Sequence, residues 1–213
     1  MKLGNWHERW QIRNINFHLS QVHPDLIKYV SELTLPAQGR CFVPLCGKSL
    51  DLEWIAKNLG HQVTGVEFSP IPIQEFFSEH NLTAHRENQQ NHVLYKAQNI
   101  EIYQGDFFSL PSTLNHQFDW IYDRASLVAI NPEQRKDYVK KCTSMLKEDG
   151  KILLLSFHYD PESFEGPPHS LSKDQIQKLY GGAFSITHLA ETPISMGSMK
   201  DGFHAVYKLS LLK

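Results

Sequence analysis

Short apolar runs alternate with one-faced helical stretches along most of this chain. Residues 40–45 and 62–67 are compact runs of buried-strand type. Between them Leu52, Ile55, Ala56 and Leu59 repeat at i, i+3, i+4 and i+7, the spacing of a helix with a single apolar face. Gly60 follows as a left-handed stop, so this stretch predicts a βαβ unit. Ser69 and Pro70 read as an N-cap and a first-turn proline, where the missing amide is no loss, and Ile73, Phe76 and Phe77 give the next helix its face. Two alternating runs at 92–96 and 100–103 flank Gln98-Asn99 and predict a small hairpin.

The pattern continues toward the C-terminus. Strands are predicted at 117–122 and 151–157, separated by a helix that opens at Asn131-Pro132 and carries Tyr138, Val139, Cys142, Met145 and Leu146. Glu148-Asp149-Gly150 is a turn signal, and Ser172 with Gln175 fits a capping box ahead of Ile176 and Leu179. The last two strands, 184–189 and 203–211, have only the loop around Gly197 and Gly202 between them. With no crossover helix they must pair antiparallel. An α/β chain with a mostly parallel sheet that ends in an antiparallel hairpin follows.

Composition narrows the partners. At 213 residues the chain suits one domain, 1–213. Lys plus Arg total 21 against 23 Asp plus Glu, so there is no basic field for nucleic acid or an anionic membrane, and a small-molecule partner is expected. The longest aliphatic run, Ile152-Leu-Leu-Leu155, is far short of a bilayer span, and the first residues lack an apolar signal segment. A cytoplasmic monomer is expected. Cys41, Cys46 and Cys142 are too few and too scattered for a disulfide framework, and the 12 histidines never take a ligand spacing, so no metal is expected.

Candidate chemistry gathers at Phe42-Val-Pro-Leu-Cys-Gly-Lys-Ser-Leu-Asp51, a strand that turns at Gly47 into a helix. Twenty positions later Glu67 ends the next strand, about the spacing between a nucleotide-binding turn and the acid that accepts ribose hydroxyls. Gly47-Lys48-Ser49 mimics the end of a phosphate-binding loop. That loop needs a glycine five positions earlier, where Phe42 stands, so an NTPase is disfavoured. A dinucleotide-binding dehydrogenase wants three glycines where one is present. A single glycine suits a nucleoside ligand without phosphates, of which S-adenosylmethionine is one. Cys46 beside the turn has no assignable His or Asn partner and reads as packing.

Trp6-x-x-x-Trp10 with Phe17-His18, Val43-Pro-Leu-Cys-Gly-Lys-Ser-Leu-Asp51, Gly105-Asp-Phe-Phe108, Tyr122-Asp-Arg-Ala-Ser-Leu-Val-Ala-Ile-Asn-Pro132 and Gly166-Pro-Pro168 occur in that order. Together they resemble the bacterial branch of the thiopurine S-methyltransferase family. The resemblance implies a Rossmann-like class I methyltransferase fold: a seven-stranded, mostly parallel sheet with an antiparallel last strand and helices on both faces. It implies S-adenosylmethionine as methyl donor and a thiol acceptor, aromatic or heterocyclic, with selenium or tellurium compounds as further acceptors. It assigns cofactor contacts to Trp10, Leu45, Glu67 and Arg124, and adds Trp6, Gly47, Asp106 and Phe107. Phe17, Arg124 and His169 become acceptor contacts, and residues 1–23 a cover for the active site.

Two positions depart from the family pattern. His169 stands where an aromatic such as Phe is common, and His204 where bacterial relatives often carry Glu. Two other readings stay open: an N- or O-methyltransferase on the same fold, although the Asn/Asp-Pro-Pro-Tyr type of motif is absent where Asp123-Arg124 stands, and a non-catalytic cofactor-binding module.

Overall fold

A computed structural model describes residues 3–194 and 202–212. The loop expected around Gly197 lies outside the described residues. Contacts divide the chain into two compact units, one within residues 2–28 and 35–114, the other within 29–34 and 115–213.

The first unit opens with α1 (Leu3–Gln11) and ends its N-terminal stretch at α2 (Pro24–Tyr29). It then runs β1 (Arg40–Val43), α3 (Asp51–Asn58), β2 (Gln62–Glu67), α4 (Pro70–Glu79), β3 (His85–Gln89), β4 (His92–Ala97) and β5 (Ile100–Gln104). The strand order is β3-β4-β5-β2-β1. β1 pairs parallel with β2, and β2 parallel with β5, so all three present their C-terminal ends on one side. Phe42, Val66 and Ile102 from these strands are fully buried, as are Leu52 and Ile55 of α3 and Ile73 and Phe76 of α4. The apolar faces read from the sequence are the faces that pack. Ser69 caps α4 through its side chain, with Pro70 at the first position.

The hairpin around Gln98 forms as expected, with β4 and β5 antiparallel and Gln98 in the left-handed region. A further strand that the pattern did not predict, β3, pairs antiparallel with β4. Its residues His85-Arg-Glu-Asn-Gln89 are almost all exposed, so they carry no apolar alternation to read.

The second unit contains β6 (Phe118–Arg124), α5 (Ser126–Ala129), α6 (Arg135–Met145), β7 (Leu146–His158), α7 (Lys173–Tyr180), β8 (Phe184–Ile194) and β9 (Gly202–Leu211), in the strand order β6-β7-β9-β8. β6 and β7 are parallel, and β9 runs antiparallel to both β7 and β8, as the short connection required. Three details differ from expectation. Leu146 begins β7 instead of ending α6, and the 148–150 turn signal marks an irregularity inside that strand, opposite the register shift between Phe118 and Trp120. The helix expected from Asn131-Pro132 begins as a short 3-10 turn, with α5 preceding it. The capping box at Ser172 and Gln175 forms as read. Nine strands are present among the described residues, against the seven that the resemblance implies and the eight that the sequence pattern predicts; β3 is the strand that neither anticipated. Among these residues no helix is long and apolar enough to cross a membrane.

Candidate active site

Residues beyond the ends of β1, β2 and β5 form one constellation in the first unit. β1 stops at Val43, and the chain turns with Leu45 at φ 46° and Gly47 at φ 53°, both left-handed. The Cys46 amide donates to the carbonyl of Val66, 2.9 Å away, which fastens the turn to the end of β2. Cys46 is buried, and its sulfur fills the space a Cβ on Gly65 would take, 2.7 Å from that position. Burial and the neighbouring Glu67 push its thiol well above the ordinary range, in keeping with a cysteine that packs the turn against β2.

Glu67 is buried, and both of its carboxylate oxygens accept backbone amides: Oε2 from Gly47 at 3.1 Å and Oε1 from Ser69 at 2.7 Å. Burial pushes its pKa up to about 7, against the opposing effect of the amides of Ser69, Gly47 and Phe68. The Glu67 carbonyl accepts the Gly105 amide at 2.9 Å, which brings the turn after β5 to the same place. There Asp106 caps a short 3-10 turn by accepting the Phe108 amide at 3.1 Å. The Phe107 ring is 1% exposed and packs 6.3 Å from the Phe42 ring, so it belongs to the core and only its backbone remains for a ligand. Beside these turns a cleft of about 630 Å³ is lined by His7, Phe68, Pro70, Asn91, Gln104 and Gly105.

α1 lies over the β1 turn. Trp10 is 2% exposed, and its ring comes within 3.0 Å of where a Cβ on Gly47 would sit. Phe17 meets Trp6 and Trp10 edge to face, each at 5.4 Å between centroids. Three of the aromatics singled out in the sequence therefore make one cluster, with Trp10 against the turn and Phe17 37% exposed.

Lys48 decides the phosphate question. Its ammonium sits 3.0 Å from Glu75 and 2.6 Å from Glu79 of α4, and Arg13 also pairs with Glu75. The cation that a phosphate loop would offer its ligand is engaged by two carboxylates.

In the second unit, Arg124 ends β6 and Ala125 turns left-handed at φ 59°. Asp123, 1% exposed, holds that turn: it accepts the amides of Ser126 at 2.9 Å and Leu127 at 3.1 Å, and the Tyr138 hydroxyl at 2.8 Å. His169 lies in the Gly166-Pro-Pro loop and is tied to α5, its amide donating to the Val128 carbonyl at 2.7 Å. Its Nδ1 is 2.9 Å from the Glu165 carbonyl, so the ring folds back on its own loop. Buried Arg135 donates to the carbonyls of His169 and Ser170 and braces the loop from α6.

The profile of the family described as Thiopurine S-methyltransferase matches residues 1–209. Two similar relatives are thiopurine S-methyltransferases of Shewanella sp. (strain MR-4) and Shewanella oneidensis, each 38% identical over 190 residues, 89% of this chain and 87% of the relative. The chain belongs to the thiopurine S-methyltransferase family. It is an S-adenosylmethionine-dependent methyltransferase. Solved structures share the fold at low identity. An N1-methyltransferase of Burkholderia thailandensis superposes with TM-score 0.72 at 13% identity, covering 99% of this chain and 87% of that one. A methyltransferase of Methanosarcina mazei gives 0.67 at 16%, covering 90% and 99%.

The residues fit the methyl donor of this family. A carboxylate fixed by two amides suits a pair of hydroxyl donors, the adjoining cleft has room for a base, and the engaged Lys48 leaves the turn without the cation a phosphate would want. Four residues that brace these turns and the loop at His169 were not among the expected site residues: His7, Ser69, His92 and Arg135. His7 and Ser69 are joined, Nδ1 to Oγ, at 2.9 Å. His92 is 5% exposed and sits under Gly105, whose missing Cβ would fall 2.4 Å from the imidazole, with Nε2 3.1 Å from the Asp106 carbonyl. Of these, His7 lies between the two tryptophans of Trp6-x-x-x-Trp10 and Ser69 is the N-cap expected for α4, so both stood inside patterns legible in the sequence, though not in these pairings.

Proposed function

We propose that the chain, working as one methyltransferase domain, transfers the methyl group of S-adenosylmethionine to a small aromatic or heterocyclic thiol, with selenium or tellurium compounds as further acceptors. The observation that carries the cofactor side is the Glu67 carboxylate, fixed at both oxygens by the Gly47 and Ser69 amides beside a turn whose Lys48 is engaged by Glu75 and Glu79. Its ribose contact falls to Glu67, the methionine tail to the backbone of Leu45 and Gly47, and the adenine to the turn at Asp106 and Phe107. Trp6 and Trp10 supply aromatic faces, which suit a sulfonium cation, and Phe17 contacts the acceptor. Residues 1–23 cover this site. Arg124 pairs with a carboxylate of the donor or with the acceptor thiolate, and His169, braced by Arg135, borders the acceptor mouth.

When bound, the sulfonium supplies an electrophilic methyl group. The thiol loses its proton to solvent beforehand, because aryl thiols are partly ionised near neutral pH. The acceptor sulfur then forms its bond to the methyl carbon as the bond to the donor sulfur breaks, and the electron pair stays on the donor. Cation and thiolate become two neutral molecules, so the residues that exclude water from the pair favour transfer. Holding sulfur, methyl and sulfur in line supplies much of the rest. No obligatory general base is required, nor a metal. Soft, polarisable selenium and tellurium nucleophiles suit the same displacement. A monomer in the cytoplasm, without nucleic-acid or membrane partners, completes the reading.

The test is titration calorimetry with S-adenosylmethionine and its demethylated product, followed by turnover on a panel of thiols, selenols and oxygen or nitrogen nucleophiles. Turnover confined to thiols and selenols is expected. Preferential turnover of an oxygen or nitrogen nucleophile, or binding without any turnover, overturns the acceptor assignment.

A further inference from the structure

The two amides that hold Glu67 share a second relationship, because each belongs to a residue backed by α1. Gly47, which donates to Oε2, lies under the Trp10 ring, within 3.0 Å of the absent Cβ. Ser69, which donates to Oε1, has its Oγ 2.9 Å from His7 Nδ1. His7 and Trp10 are three apart on α1, so they share one helical face. Ser69 is fully buried, and its Oγ also accepts the Ile71 amide at 3.3 Å, which leaves the hydroxyl proton for the imidazole. One face of one helix thus holds both halves of the carboxylate's support.

We propose that His7 is a positioning residue for the methyl donor: through Ser69 it fixes the Glu67 carboxylate in the orientation that receives the ribose, so seating of α1 and ribose binding are coupled. This rests on the assignment of Glu67 to the ribose. The coupling is local and directional. Displacing α1 frees the Ser69 hydroxyl and uncovers Gly47, so the two backbone amides that hold the carboxylate lose the packing and hydrogen bond behind them. A bound ribose that draws on the ordered carboxylate reciprocally favours the seated helix, as linkage requires. Arg13, just beyond the end of α1, pairs with Glu75 of α4 and gives the segment a second attachment.

A double-mutant cycle read by calorimetry with S-adenosylhomocysteine tests it, with wild type, His7→Ala, Ser69→Ala, Glu67→Gln and the two combinations with Glu67→Gln. Loss of one such hydrogen bond is expected to weaken binding about five- to tenfold in His7→Ala and in Ser69→Ala, and less than twofold when Glu67 is already Gln. His7→Asn, which keeps an acceptor near the Nδ1 position, restores binding to within about twofold of wild type. Equal losses in both Glu67 backgrounds would show that His7 acts by general packing and overturn the proposal, as would wild-type affinity in His7→Ala. Unchanged affinity in Glu67→Gln removes the ribose assignment itself and the proposal with it. Ser69→Ala keeps its backbone amide, so the cycle remains readable if His7→Ala does not fold.

Discussion

Trp10 stands where a side chain at position 47 would have to go. The ring lies 3.0 Å from the position of a Cβ on Gly47, and Gly47 is also left-handed at φ 53°. The glycine that the sequence offers as a nucleotide-binding turn is thus required twice, once by its backbone and once by the helix packed upon it.

Gly47→Ala is therefore expected to do more than strain the backbone. Gly60, at φ 68° with nothing within 4 Å of its absent Cβ, isolates the backbone effect. Gly60→Ala should lose about 1 kcal/mol of stability in urea denaturation, and Gly47→Ala more, because its Cβ also meets the buried Trp10 ring. Only Gly47→Ala should also weaken S-adenosylhomocysteine binding, because it displaces Trp10. Equal cofactor affinity in the two variants contradicts the packing argument.

Glu67 gives a pH dependence whose sign can be worked out. Its folded pKa, pushed up to about 7 from the ordinary 4.5, means that the protonated form favours the folded apo state. That stability is present below pH 4.5 and is lost as pH rises through about 7. Ribose hydroxyls bind the ionised form, so cofactor affinity should fall roughly tenfold per pH unit below about 7. The thermal shift produced by S-adenosylhomocysteine should accordingly grow from pH 5.5 to pH 8 in wild type and stay level in Glu67→Gln. A parallel rise in the variant assigns the titration elsewhere.

Glu67→Ala removes the acceptor altogether. Binding of the demethylated cofactor should weaken by about 1.5–3 kcal/mol, the scale of charge-assisted hydrogen bonds. Unchanged affinity by calorimetry takes Glu67 out of the site.

Lys48 is predicted to be structural. Lys48→Met should lower stability by about 1–3 kcal/mol, between the worth of an exposed pair and a buried one, since Lys48 is nearly buried while Glu79 is half exposed. Adding ATP should shift the melting temperature of neither protein. An ATP-dependent shift in wild type that Lys48→Met abolishes would restore the phosphate-loop reading.

Asp123 offers a second titration, remote from Glu67 in the chain. Burial raises its pKa to about 6 from 3.8, against the Tyr138 hydroxyl and the amides of Leu127 and Ser126. Its contribution to stability is present below pH 3.8 and lost as pH rises through about 6. Asp123→Asn should flatten the stability profile between pH 4 and 6, and Tyr138→Phe should cost about 1–2 kcal/mol. An unchanged profile in Asp123→Asn would mean that another group titrates there.

The chain's alternation of apolar runs and one-faced helices was enough for the βαβ unit, the hairpin at Gln98 and the antiparallel final strands, because burial writes itself into periodicity. β3 left no such trace, since a strand exposed along His85-Arg-Glu-Asn-Gln89 buries almost nothing. The order of motifs identified the family, and the Gly47 to Glu67 spacing pointed to a nucleoside. What the sequence could not hold is which groups satisfy each other across long separations. Lys48 pairs with Glu79 at 31 residues' distance, and His7 meets Ser69 at 62. A lysine after a glycine looks the same whether it awaits a phosphate or faces two carboxylates, and a histidine between two tryptophans looks the same free or bonded. Local sequence fixes backbone preference and buried faces through short-range sterics and solvation. Only the tertiary structure decided the partners of the polar groups, because hydrogen bonds and ion pairs depend on ångström distances between residues that the chain order leaves unconstrained.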